Sequence, residues 1–215
     1  MRSAPTIVVV DYGRGNLFSV CQAVAKVGGA PELSADPAVV RAAERVILPG
    51  VGAFGDAMEG LHARGLDDAV KAFAATGRPL LGVCLGMQLL LGASTEFGDH
   101  EGLAILPGHV DRLPTPVPGG RDKIPNVGWC RLEPVRDGVP WSESIFRGVK
   151  PGDFAYFVHS YAAHPDPGHR LADIEFAGAP ACAAIAAGPV AGCQFHPEKS
   201  GEVGLAIVDA FVNRL

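Results

Sequence analysis

The chain has 215 residues, 48% of them hydrophobic and 19% charged, with a formal net charge of −5. Those values exclude a disordered or fibrous chain and leave no broad basic surface for nucleic acid. One domain spanning residues 1–215 is the expectation, since α/β units of this length fold as one body with a sizeable core.

Arg2 is followed by the run Ile7–Val10, too short for the core of a signal peptide, so Thr6–Asp11 reads as a first strand. A helix over Leu17–Val27, a strand over Val46–Leu48, a helix over Gly65–Ala75, a strand over Pro79–Val83 and a helix over Leu85–Gly92 follow. That alternation is the βαβ rhythm of a parallel sheet, whose buried strands read as continuous apolar runs. The apolar region Pro79–Ala93 is broken by glycines and Gln88. It falls short of the ~20 residues that span a bilayer, so a soluble, cytoplasmic protein is expected. From Gly102 the turn residues crowd together, and Leu113–Gly120 reads as an exposed hairpin or loop. Strand candidates at Gly128–Leu132, Phe154–His159, Leu171–Phe176, Cys182–Ala187 and Val190–Phe195 follow, many of them antiparallel. Glu202–Leu215 closes the chain as an amphipathic helix, with Val203, Ile207 and Phe211 on one face.

Five cysteines (Cys21, Cys84, Cys130, Cys182, Cys193) are scattered with no CxxC pair. Neither a disulfide framework nor a zinc site is suggested, and reduced thiols are expected. Cys84 stands apart. In Gly82-Val83-Cys84-Leu85-Gly86 it sits between glycines where an apolar strand gives way to a helix. A sharp strand-to-helix turn needs such small neighbours and exposes its central side chain beside free helix N–H groups, which favour a thiolate. A small buried cysteine in a glycine-rich turn accounts for the pentapeptide equally well. The partners decide between the two readings. In Gln194-Phe195-His196-Pro197-Glu198, His196 precedes proline and must be extended, so His196 and Glu198 are expected to project to one side. The carboxylate then orients one imidazole nitrogen and leaves the other for a thiol. The glycine loop Leu48-Pro49-Gly50-Val51-Gly52-Ala53-Phe54-Gly55 lets backbone N–H groups come close to a ligand, and the amide near Val51 or Gly52 with that of Leu85 would form an oxyanion hole.

These motifs resemble the class I, triad-type glutamine amidotransferases, with Gly82–Gln88 as the nucleophile motif. Asp11-Tyr12-Gly13-Arg14-Gly15-Asn16-Leu17, Phe157–Tyr161 and Gln194–Ser200 are similar, more narrowly, to the glutaminase subunits of imidazole glycerol phosphate synthase. The resemblance implies an α/β fold of flavodoxin-like type: an open, mostly parallel sheet with helices on both faces and antiparallel strands added in the C-terminal half. It implies hydrolysis of L-glutamine to glutamate and ammonia by Cys84, His196 and Glu198, and transfer of the ammonia to a cyclase partner in histidine biosynthesis. The resemblance further implies low activity until partner and ligand are present. No cofactor and no metal are implied. Family positions near bound glutamine map to Gln88 and Glu96, with backbone contacts at Gly50, Gly52, His159, Ser160 and Tyr161. For the partner interface Asn16 and Lys199 are the candidates, since both lie beside elements expected to open onto the ammonia exit; an ordinary loop residue is the alternative reading of each. A glutaminase serving a different synthase, or a non-catalytic regulatory subunit of the same fold, are the alternatives. Asn126 and Val127 depart from the histidine and methionine usual in the family.

Overall fold

The computed structural model describes residues 5–116, 122–136 and 138–215. The first half comprises β1 (Thr6–Val10), α1 (Leu17–Lys26), β2 (Ala30–Ser34), α2 (Pro37–Ala42), β3 (Arg45–Gly50), α3 (Phe54–His62), α4 (Leu66–Ala74), β4 (Leu80–Cys84) and α5 (Leu85–Leu89). There follow β5 (Ala93–Ser94), β6 (His100–Glu101), β7 (Gly108–Arg112), β8 (Asn126–Arg131), β9 (Glu133–Pro134), β10 (Phe154–His159), β11 (Tyr161–Pro165), β12 (Arg170–Phe176), β13 (Ala179–Ala187), β14 (Val190–Cys193) and α6 (Gly201–Asn213).

Eight strands form the central sheet in the order β2-β1-β3-β4-β14-β13-β12-β9. From β2 to β14 every neighbouring pair is parallel, and β13, β12 and β9 extend the sheet antiparallel. With β14 as its fifth strand, the parallel part has the order of a flavodoxin-like sheet, which places ligands beyond the carboxyl ends of its strands. The alternation of the pleat divides β1 between two cores. Ile7 and Val9 pack with Ile47, Leu81 and Val83 against α1 and α6, through Val20, Val24, Ile207 and Phe211. Val8 and Val10 pack with Val46, Leu48 and Leu80 against α3 and α4, through Phe54, Leu61, Val70 and Phe73. Each such fully buried side chain contributes about 1.5–3 kcal/mol of transfer free energy, which is why continuous apolar runs occupy the centre of the sheet. Two smaller sheets, β8 with β10 and the group β11-β7-β5-β6, flank it. No helix among the described residues is long and apolar enough to cross a membrane.

The structure departs from the sequence expectation where apolar patterning is weak. β2 is an edge strand reading Ala-Pro-Glu-Leu-Ser, with none of its residues buried, so it carries no apolar run. α2 is a six-residue helix capped by Asp36, whose carboxylate accepts from the Ala38 N–H at 2.8 Å. α3 begins at Phe54 inside what reads as a glycine loop. α5 stops at Leu89 instead of continuing to Gly92. β14 ends at Cys193, and the chain turns before His196. Leu113–Pro116 has no regular structure, and the rest of the expected hairpin lies outside the described residues.

Candidate active site

Cys84 ends β4 with φ 55° and ψ −113°, a left-handed conformation that a non-glycine residue adopts only where its surroundings impose it. The surroundings leave no room for anything larger than glycine on either side. A Cβ on Gly86 would lie 1.8 Å from the Leu48 carbonyl oxygen, and one on Gly82 would lie 2.7 Å from the Met87 nitrogen. The elbow is therefore wedged between β3 and the first turn of α5. Register does the rest. Gly50 pairs with Cys84 and Val83 pairs with Cys193, so the segments after β3 and after β14 emerge on the two sides of the sulfur.

His196 is extended, with φ −98° and ψ 96°. Its N–H donates to the Tyr156 carbonyl at 3.0 Å, and the Ser200 hydroxyl donates to its carbonyl at 2.7 Å. The next three residues, Pro197–Lys199, form a single 3-10 turn. Glu198 thus reaches His196 by a turn and not by the i, i+2 alternation of an extended chain. The result is a 2.9 Å contact between Nδ1 and Glu198 Oε1, with both side chains almost entirely buried. Glu198 Oε2 is buried with no hydrogen-bond partner among the described residues, so His196 is the principal compensation for this carboxylate. Burial pulls the His196 imidazole toward neutrality, but hydrogen bonds and charge from Cys84 and Glu198 outweigh it and raise its pKa to about 10. With Nδ1 turned to the carboxylate, Nε2 is left for the sulfur.

Val51, Gly52, Cys84, Leu85, Gln88, Glu96, His159, Ser160, Tyr161 and His196 line one cavity of ≈170 Å³. That is well below the ~300–1,000 Å³ of pockets for drug-sized ligands, and it suits a small polar metabolite. Depressions of ≈440 and ≈590 Å³ elsewhere contain none of these residues, so volume alone does not locate the chemistry. Gly50, by contrast, is not among the residues that line the cavity, and a Cβ on it would stand 2.6 Å from the Tyr12 hydroxyl and 2.9 Å from the Gly86 nitrogen. Glu96 also spends one oxygen as a helix cap, Oε2 accepting from the Phe54 N–H at 2.7 Å. Burial raises its pKa against the opposing effect of that bond. Gln88 donates from Nε2 to the Tyr161 carbonyl at 3.0 Å and to Gln194 Oε1 at 2.8 Å, which leaves its own oxygen for a ligand.

His159 is a fixed neutral imidazole. Burial lowers its pKa to about 4, a bond to the Tyr161 carbonyl opposes that, and the nearby His196 lowers it further. Nδ1 lies 2.9 Å from that carbonyl, which can only accept, so Nδ1 carries the hydrogen. Nε2 then accepts from Asn126 Nδ2 at 3.0 Å. The departure at 126 is thus an amide donor matched to a histidine acceptor, whereas Val127 is simply exposed. Asn16 is half-buried with Nδ2 3.5 Å from Glu198 Oε1, and Lys199 is exposed on the 3-10 turn.

Two residues were not singled out from the sequence. The Tyr12 hydroxyl donates to the Pro49 carbonyl at 3.0 Å from a buried position, and burial raises its pKa. Gln194 is fully buried, with Nε2 3.9 Å from Cys84 Sγ. Both lie inside motifs visible in the sequence, yet neither residue type signals a site by itself. Among the described residues, no group of three or more His, Cys, Asp or Glu side chains could hold a metal ion.

This elbow, at the carboxyl end of a central parallel strand with a buried His-Glu pair beside it, defines a class of protein. The glutamine amidotransferase class-I family matches residues 8–214, and the chain belongs to it. Within that class, the chain is 44% identical over 209 residues to imidazole glycerol phosphate synthase subunit HisH 1 of Legionella pneumophila (strain Paris), covering 96% of this chain and 98% of that protein. It is 45% identical over 202 residues to subunit HisH of Symbiobacterium thermophilum, covering 94% and 91%. These relatives place it in the HisH family. A solved structure of PurLQS from Thermotoga maritima shares the fold at TM-score 0.72 and 19% identity, covering 98% of both chains.

Proposed function

We propose that this chain is the glutaminase subunit of an imidazole glycerol phosphate synthase, hydrolysing L-glutamine to L-glutamate and ammonia and passing the ammonia to a cyclase partner in histidine biosynthesis. The observation that carries the reading is the strained Cys84 elbow facing the same small cavity as an imidazole held by a buried carboxylate. The Cys84 thiolate attacks the side-chain carboxamide of glutamine, and the tetrahedral oxyanion is met by the N–H of Leu85 and an amide at Val51 or Gly52. His196 gives its Nε2 proton to the departing ammonia, then takes one from water as it attacks the thioester; Glu198 holds the ring in the tautomer this needs. No cofactor is required. Glu96 and the Gln88 oxygen both suit the α-ammonium group, while backbone at Gly50–Gly52 and His159–Tyr161 frames the amino-acid end.

The partner reading has support next to this cavity. On the β8–β10 ribbon, Val127 faces Val158 and Trp129 faces Tyr156, and Val127, Trp129, Phe154 and Val158 are 57%, 55%, 51% and 39% exposed. Val158 also lines the cavity, so an apolar surface suited to a protein partner begins at its rim. Asn16 and Lys199 complete that surface in our reading. An electrophilic glutamine analogue tests the function: we expect it to label Cys84 alone among the five cysteines, and labelling elsewhere overturns the assignment.

A further inference from the structure

Gln194 follows β14 directly and has no exposed surface. The orientation of its side-chain amide follows from chemistry. The Tyr161 carbonyl can only accept, so the Gln88 atom 3.0 Å from it is the NH2 group. A second hydrogen of that NH2 points at Gln194, whose facing atom must then be the oxygen, at 2.8 Å. The Gln194 NH2 is left facing Cys84 Sγ at 3.9 Å. Reversing the amide would set two NH2 groups against each other and an acceptor against the sulfur.

We propose that Gln194 is the hydrogen-bond donor that holds the Cys84 sulfur as a thiolate, its polarity fixed by Gln88 and the Tyr161 carbonyl. The inference rests on Cys84 being the nucleophile. The Val158 carbonyl, also 3.9 Å from Sγ, accepts from the thiol and so favours the protonated form. These two neighbours pull in opposite directions; when the S–H bond breaks, the electron pair stays on sulfur and the proton passes to His196 Nε2, and the Gln194 hydrogen bond adds to the attraction of the imidazolium that results. Gln194 itself gains and loses no atom. The titratable groups acting on the sulfur are His196 and Tyr12, and burial keeps Tyr12 a neutral phenol. Glu198 acts through His196, while Glu96 and His159 border the same cavity.

The test is the pH dependence of Cys84 alkylation by iodoacetamide in the full chain, read at the Cys84 peptide by mass spectrometry because Cys21 and Cys130 are also partly accessible. Hydrogen bonds to charged groups are strong enough that Gln194→Leu should raise the alkylation midpoint by about one pH unit. Gln194→Glu should raise it further by placing an acceptor or a charge at the sulfur. Gln88→Leu leaves Gln194 in place but frees its amide to rotate, and gives a smaller rise. An unmoved midpoint in folded Gln194→Leu overturns the proposal; if neither Gln194 variant folds, an unmoved midpoint in Gln88→Leu does so. Labelling of wild type by the glutamine analogue is run in parallel. Absence of label on Cys84 removes the nucleophile and the proposal with it, whereas a labelled Cys84 with an unmoved midpoint removes only the role of Gln194.

Discussion

The elbow geometry makes Gly86→Ala the most demanding single substitution. The added Cβ would stand 1.8 Å from the Leu48 oxygen and 2.8 Å from its carbonyl carbon. Both partners are backbone: Leu48 is paired in β3 with Gly82 of β4, and Gly86 lies in the first turn of α5. No side chain can rotate away, so the sheet or the elbow must move by well over an ångström. Overpacking of a tight core costs about 1–3 kcal/mol where side chains can adjust, and a backbone clash belongs at or above the upper end. For a chain of this size each kcal/mol lowers Tm by about 2–4 °C, so a fall of roughly 6–12 °C is expected. Cys84 should also lose its reactivity toward a glutamine analogue, because the strained φ is held by the contacts that would be broken. Gly168→Ala is the control, since a Cβ there meets nothing within 4 Å. It should change Tm by no more than about 1–2 °C, in line with ordinary surface substitutions. Differential scanning calorimetry checks both. Wild-type Tm and unchanged Cys84 labelling in Gly86→Ala would mean that the Leu48 carbonyl does not hold the elbow in place.

Other perturbations address the surrounding parts. Glu198→Gln keeps the shape but removes the charge facing His196 Nδ1, so the imidazole should titrate below its present value of about 10. Glutamate release should fall by about 10²–10⁴, the usual contribution of a positioned acid-base group, as steady-state assays of the partner complex would measure. Tyr12→Phe strands the Pro49 carbonyl and should cost about 1–3 kcal/mol of stability in urea titrations. It should also lower kcat more than KM, because the strand that Tyr12 holds leads into Val51. His159 has a folded pKa lowered from 6.5 to about 4, so the unfolded chain binds more protons between those values. Stability should therefore be lost as pH falls from about 6.5 toward 4, by up to about 3 kcal/mol, and urea midpoints of His159→Gln should show a shallower loss over that range.

Much of this arrangement is legible in the sequence because single strong constraints produce it. Ile7–Val10 and Leu80–Val83 are apolar on both faces, which only a buried central strand tolerates, and the carboxyl ends of such strands are where ligands bind. The glycines flanking Cys84 leave room for a tight turn and the proline after His196 restricts the residue before it, so those turns can be anticipated without tertiary information. β2 and α3 were hidden for opposite reasons: one is exposed and lacks an apolar run, the other starts within a glycine-rich segment. The path from His196 to Glu198 is likewise not legible in the sequence. Pre-proline sterics fix His196 but say nothing about the residues beyond Pro197, and these close into a turn. Gln194 and Tyr12 acquire their contacts from strand register and long-range packing, through partners 110 and 37 residues away in sequence. No spacing rule reaches that far.

In the proposed function Cys84 releases ammonia from glutamine for use by a second protein. The most direct test compares Cys84→Ala with wild type in the reconstituted complex with the cyclase, with glutamine or ammonium as nitrogen source. The variant should lose glutamine-dependent product formation and glutamate release while ammonium-dependent cyclisation by the partner persists. Retention of glutamine-dependent turnover by Cys84→Ala would contradict that function.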